Sequence, residues 1–83
     1  MDSILYKLHL AAAKACGEDR SCRDKVRYGS EETARESADA MNLKGDRKYL
    51  LEHYPCPFCD GWHLGRHMSI DELLQVTKGM RFL

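Results

Sequence analysis

Tyr54-Pro55-Cys56-Pro57-Phe58-Cys59-Asp60-Gly61-Trp62-His63-Leu64 brings two cysteines, a turn and a histidine into one short stretch. Thiolates two residues apart can grip a single tetrahedral ion, and Pro57 stiffens the backbone between them. Asp60-Gly61 suits a tight hairpin turn, which carries His63 back toward the thiols. Sulfur plus imidazole selects zinc most readily, so the pattern is that of a zinc knuckle. A redox pair is allowed by the Cys56–Cys59 spacing, and disulfides by the even cysteine count. His63 and the turn favour the metal.

The flanks of this stretch read as strands. From Arg47 to Tyr54, residues Tyr49, Leu51 and His53 alternate with Leu50, Glu52 and Tyr54. Trp62 to Arg66 is the return strand. Beyond it, Ser69 and Glu72 fit a capping box, and Met68 with Leu73 fits a hydrophobic staple. That helix is expected to run to Lys78, with Gly79 as its stop. Upstream, Ser30 caps a helix whose first turn holds Glu31 and Glu32 and whose buried side holds Ala34, Ala38 and Met41. Lys25 to Tyr28 is a short strand candidate, and residues 18–24 read as loop. Residues 3–16 form a helix with Ser3 as cap, Gly17 as stop, and Leu5, Leu8, Ala12 and Ala15 on one stripe.

The expected fold is therefore small α+β, one domain over residues 1–83. It has a ribbon-like hairpin with a short antiparallel sheet and a central helix in a core over 22–66. Helices at 1–17 and 69–79 flank that core. A chain of 83 residues buries too little apolar surface for comfort, and a metal staple is expected. No signal peptide or apolar run of membrane-spanning length is visible, which points to a cytoplasmic protein with reduced thiols.

The fourth ligand has several candidates. Cys22 gives a Cys3His site and closes a large loop. His67 gives a local Cys2His2 site. The glycines at 61 and 65 argue against helix around His63, however, and on a strand His63 and His67 lie about 13 Å apart. Cys22 is favoured on geometry. Cys16 reads better as a small hydrophobe or free thiol, and His53 is a further candidate.

Thirteen basic residues balance thirteen acidic ones, which is not the balance of a dedicated nucleic-acid binder. Arg20, Arg23, Lys25 and Arg27 nevertheless crowd one segment. With Arg47 and an exposed Trp62 they would make a nucleic-acid surface; otherwise they are a solvated face and Trp62 covers the metal. Four protein ligands leave no open position on an ion. No metalloprotease or deaminase pattern, phosphate loop or nucleophile elbow occurs, and no enzyme is expected.

Two motifs together carry a resemblance. Cys22-x2-Lys25-x2-Tyr28-x-Ser30-x3-Ala34 is followed by Tyr54-x-Cys56-Pro57-x-Cys59-x-Gly61-Trp62-His63-Leu64-Gly65. This resembles a group of short zinc-ribbon-like proteins of bacteriophage and bacterial genomes, mostly without assigned function. The resemblance covers residues 22–66 and implies Cys22, Cys56, Cys59 and His63 as ligands of Zn2+. Beyond the resemblance, near-zero net charge, a metal-stapled core and two appended amphipathic helices point to a protein-binding module, expected as a monomer or small homo-oligomer in the host-cell cytoplasm. Such a protein would be a regulator that binds a host protein and inhibits or redirects it, a device of host takeover. Leu5, Tyr6, His9 and Leu10 on the first helix are the expected contact surface. The alternative is a nucleic-acid-binding module acting in transcription or DNA transactions.

Overall fold

The computed structural model describes residues 1–45 and 48–78. Its first helix, α1 (Ser3–Cys16), is capped by Asp2 rather than by Ser3. The Asp2 carboxylate accepts the N–H groups of Ile4 at 2.8 Å and Leu5 at 3.4 Å. An acid at this point meets both the orphan donors and the positive end of the helix dipole, which explains the one-residue shift. Gly17 ends the helix at φ +91°, its N–H turned back to the carbonyls of Ala13 and Lys14.

Leu8 and Ala12 are buried as expected, packed with Leu73, Leu5, Met68 and Val76. Ala15 is exposed, whereas His9, Ala11 and Ala13 are buried. The buried arc is thus broader than one stripe, because α1 is covered on two sides.

Residues 18–24 are not plain loop. Asp19–Arg23 forms a single π-helical turn. Ser21 holds it, its N–H donating to Gly17 O at 3.0 Å and its hydroxyl to Ala13 O at 2.9 Å. The strand expected over Lys25–Tyr28 reduces to one bridge, in which Tyr28 and Trp62 exchange two hydrogen bonds of 2.9 Å.

Helix α2 (Glu31–Lys44) is capped by Ser30, whose hydroxyl accepts the Thr33 N–H. It ends at Gly45, which takes the left-handed conformation. Ala34 and Ala38 are fully buried, and their small side chains let the helix lie close to the sheet. Near its end, the Asn42 side chain pairs with both backbone groups of Leu51, at 2.9 and 3.0 Å.

The sheet has two antiparallel strands, β1 (Leu51–Pro55) and β2 (Trp62–Arg66). The first begins later than expected: Lys48, Tyr49 and Leu50 are exposed, and Asp46 and Arg47 lie outside the described residues. Glu52 faces Gly65 and Tyr54 faces His63. The Tyr54 ring lies over Gly65, where an added Cβ would meet Tyr54 Cε1 at 3.1 Å. Asn42 along the outer edge of β1, and Pro55 with no N–H to offer, leave little of that edge for another strand.

Helix α3 (Ile70–Val76) starts with the complete Ser69–Glu72 capping box. It stops before Lys78 because Thr77 turns its hydroxyl back to Leu73 O at 2.8 Å. The expected stop, Gly79, lies outside the described residues. No helix among the described residues is long and apolar enough to cross a membrane. The architecture is a small α+β fold, with a hairpin, a central helix and flanking helices.

Leu73 is 1% exposed and fills the junction of α1 and α3. Leu73→Ala is expected to lower stability by about 2–5 kcal/mol, whereas Leu74→Ala, at an exposed site on the same helix, should stay within about 0.5 kcal/mol. Urea unfolding midpoints of the two variants check this.

Candidate metal centre

The turn between β1 and β2 builds half of the site. Cys56 closes it by donating its N–H to Gly61 O at 2.9 Å, and the Phe58 N–H points at Cys56 Sγ at 3.3 Å. Asp60, rather than Gly61, takes the left-handed backbone at φ +58°. At Gly61 the Arg27 side chain comes close: a Cβ there would stand 2.7 Å from Arg27 Nε, and Arg27 would have to move. Arg27 lies across the turn and donates to Cys59 O at 3.2 Å and Asp60 O at 3.4 Å. It braces the knuckle from outside.

His63 enters from β2 and is 1% exposed. Its Nδ1 lies 2.7 Å from Val26 O. A carbonyl can only accept, so Nδ1 carries the proton and Nε2 keeps its lone pair. Nε2 points at Cys59 Sγ, 3.3 Å away. This is the orientation a metal-bound imidazole takes, with its outer nitrogen fixed by a second group.

Cys22 arrives from the π-helical turn. Tyr54 fixes that turn to β1, its hydroxyl donating to Ser21 O at 2.6 Å. Burial, then the nearby thiols, push the Tyr54 hydroxyl above its ordinary value. The donor atoms of Cys22, Cys56, Cys59 and His63 all lie within 4.8 Å of one another. Three sulfurs and one imidazole in that volume are a possible metal-binding site, and a tetrahedral ion with bonds of about 2.0–2.3 Å fits such a set.

The electrostatics agree with the donor chemistry. Desolvation, followed by hydrogen bonds to Cys56 and Cys59 and the charge of those thiols, pushes Cys22 up to about 12. Burial also acts to raise Cys59. Hydrogen bonds from the Gly61 backbone, Cys56 and Cys22, with the Arg27 charge, outweigh it and hold that thiol below its usual value. Three crowded thiols cannot all ionise unaided, and a bound cation removes the obstacle.

The other candidates lie elsewhere. Cys16 is exposed on α1. His53 Nε2 sits 3.1 Å from Glu31 Oε2, and His67 Nδ1 sits 3.3 Å from Glu52 Oε1. On α1, Tyr6 is 40% exposed and Leu5 and Leu10 are half-buried. His9 turns inward and is 7% exposed, so the four expected contact residues do not form one free face. Of the basic residues, Arg20 is exposed, Arg23 pairs with Asp19 at 3.1 Å, and Lys25 donates to Leu64 O at 3.3 Å. Arg27 is spent on the knuckle, and Arg47 lies outside the described residues. Trp62 is half-buried between Tyr6 and His53, with ring centroids at 6.0 and 5.7 Å.

The sequence marks none of Tyr54, Ser21 and Val26 as site residues, and marks Arg27 only as part of a nucleic-acid surface. All act through backbone groups or across long chain separations, and no spacing rule announces them. No protein-family model, curated protein or solved structure matches this chain.

Tyr54→Phe keeps every ligand and the ring but releases Ser21. Metal affinity is expected to fall by about 10–100-fold, as for other outer-sphere partners. Competition with a chromogenic chelator, for wild type and variant in parallel, measures it.

Proposed function

We propose that this is a non-enzymatic zinc protein whose ion, held by Cys22, Cys56, Cys59 and His63, fixes a platform for docking on another protein. The observation that carries this reading is the commitment of all four donors to one closed cluster. A site with four protein ligands keeps no position for a reactive water, which favours a structural ion. Zinc suits a Cys3His set in tetrahedral geometry. The bound ion supplies cross-linking between the π-helical turn and the hairpin.

Docking is favoured over nucleic-acid binding by where the basic groups go. Arg23, Lys25 and Arg27 are turned to carboxylate or carbonyl oxygens of the fold itself. A phosphate-binding surface needs such groups free. Trp62 packs edge-on against Tyr6 and tilted against His53, which leaves it half-buried within the fold. On α1, Ile4 and Tyr6 are exposed large apolar groups, on different faces of the helix, and each is a candidate contact for a partner. A phage-type regulator acting on a host protein fits this arrangement and the zinc-ribbon resemblance of residues 22–66.

Two measurements test the reading. Purified protein is expected to carry one zinc, and chelator under reducing conditions should unfold it; Cys22→Ser should lose the zinc. A metal-free chain that stays folded overturns the structural role. For docking, a protein captured from host extract should be lost with Ile4→Asp and Tyr6→Ala yet retained with Arg20→Ala and Arg23→Ala. The reverse pattern, with oligonucleotide binding that falls steeply with salt, supports the nucleic-acid alternative instead.

A further inference from the structure

Side chains alternate along the hairpin, so Leu51 and His53 on β1 share a face with Trp62, Leu64 and Arg66 on β2. Beside this face, where α2 ends, Val26, Met41, Tyr49, Leu51 and Leu64 line an apolar groove of about 260 Å³. A smaller hollow of about 150 Å³ shares Met41 and Tyr49 and continues to Leu50. Val26 is 69% exposed and Tyr49 50%. Large apolar groups gathered in this way on a surface mark a place of contact. The groove is smaller than the roughly 300–1,000 Å³ of a small-molecule site, so it suits the side chains of a bound chain better than a whole ligand.

The outer edge of β2 runs along this groove. Gly61 O and His67 N–H point toward β1, whereas the N–H and C=O of Trp62 point away, to Tyr28. Backbone direction alternates along a strand, so Leu64 and Arg66 also turn outward. Among the described residues the Tyr28 bridge is the only pairing on that edge. Beyond it the upstream chain leaves the strand. Val26 O turns to His63 Nδ1, and Lys25 reaches Leu64 O only through its ammonium group. The Leu64 N–H and both backbone groups of Arg66 meet no other backbone group among the described residues. The β1 edge offers no equivalent, because Asn42 holds Leu51 and Pro55 has no N–H.

The charges at the groove are of one sign. Lys25, Lys48 and Arg66 line it with its neighbouring hollow, and no carboxylate does. Arg66 is shared with Glu72 at 3.0 Å, while Lys25 and Lys48 are exposed. We propose that the outer edge of β2 and this groove bind an extended, acidic segment of a partner protein, which adds a short third strand beside Leu64–Arg66. Aliphatic side chains at alternate positions of the segment enter the groove, and its carboxylates meet Lys25 and Lys48 at the rim. Main-chain hydrogen bonds give such a contact its affinity, and the alternate side chains give it selectivity. The proposal rests on the docking reading only in taking a protein as partner; no residue of α1 lines the groove.

Zinc-loaded full-length protein is used to select from a displayed library of random octapeptides, and binding of the enriched peptides is measured by fluorescence anisotropy. The enriched sequences are expected to carry aliphatic residues at alternate positions with aspartate or glutamate beside them. Val26→Asp and Tyr49→Ala, both at exposed positions, should each weaken binding by at least about tenfold with the zinc content unchanged. Lys48→Glu should weaken it and flatten its dependence on salt. Only one edge of an added strand faces β2, so N-methylation of one alternate set of peptide amides should abolish binding while the other set tolerates it. No enrichment, enrichment of basic sequences, equal tolerance of both methylation sets, or unchanged binding in Val26→Asp and Tyr49→Ala overturns the proposal. So does self-association that Val26→Asp abolishes, with no peptide bound, since the occupant would then be a second copy. Ile4→Asp should bind the peptides as wild type does, so loss of a captured host protein in that variant counts only against α1.

Discussion

The approach of Cys22 to the Cys56–Cys59 turn is the contact on which the rest depends. It joins the segment after α1 to the hairpin turn. Without an ion, desolvation first and then the neighbouring thiols oppose ionisation of Cys22, which is pushed up to about 12. A divalent cation reverses the sign of that interaction: what is mutual repulsion becomes shared attraction. The same crowding that is costly without an ion is the preorganisation that an ion needs.

The apolar core shows why such a contact matters. Its buried cluster is Leu8, Ala12 and Leu73, with Leu5, Met68 and Val76 at its margin. This lies between α1 and α3, away from the hairpin turn. The sheet is covered on the α2 side mainly by Ala34 and Ala38, which bury little area each. Small residues bring backbones close but supply little hydrophobic stabilisation. Polar struts do the remaining work of alignment: Tyr54 to Ser21, His63 to Val26, Asn42 to Leu51. Each is buried or half-buried, so each is worth more in specificity than an exposed equivalent would be.

What the sequence made legible was local. The Ser69–Glu72 box, the Ser30 cap, the Gly17 stop and the β2 boundaries all follow from residues a few positions apart. The cluster of four donors was legible too, because Cys56, Cys59 and His63 share one turn and strand geometry disfavoured His67. What it hid was long-range or dictated by backbone. Asp2 and Ser3 are both good caps, and only the observed hydrogen bonds separate them. The 18–24 segment is polar and reads as loop, yet Ser21 can bond back to α1 only if that segment winds into a turn. Arg27 looked like one charge in a basic run. It lies close over Gly61, whose conformational freedom is not what the turn uses.

The hairpin also accounts for a spacing that seemed ambiguous. His63 and His67 are four apart, which on a helix would aim both at one ion. On a strand the same spacing keeps them on one face and sends them to opposite ends of it. Tyr54 on the partner strand fills the interval, so neither imidazole can reach the other's neighbours. Each ring is then left with the donors nearest to it. For His63 these are three thiols, and for His67 it is the Glu52 carboxylate. One rule of strand geometry thus sends one imidazole to a cluster of thiols and the other to a carboxylate within a sheet of two short strands.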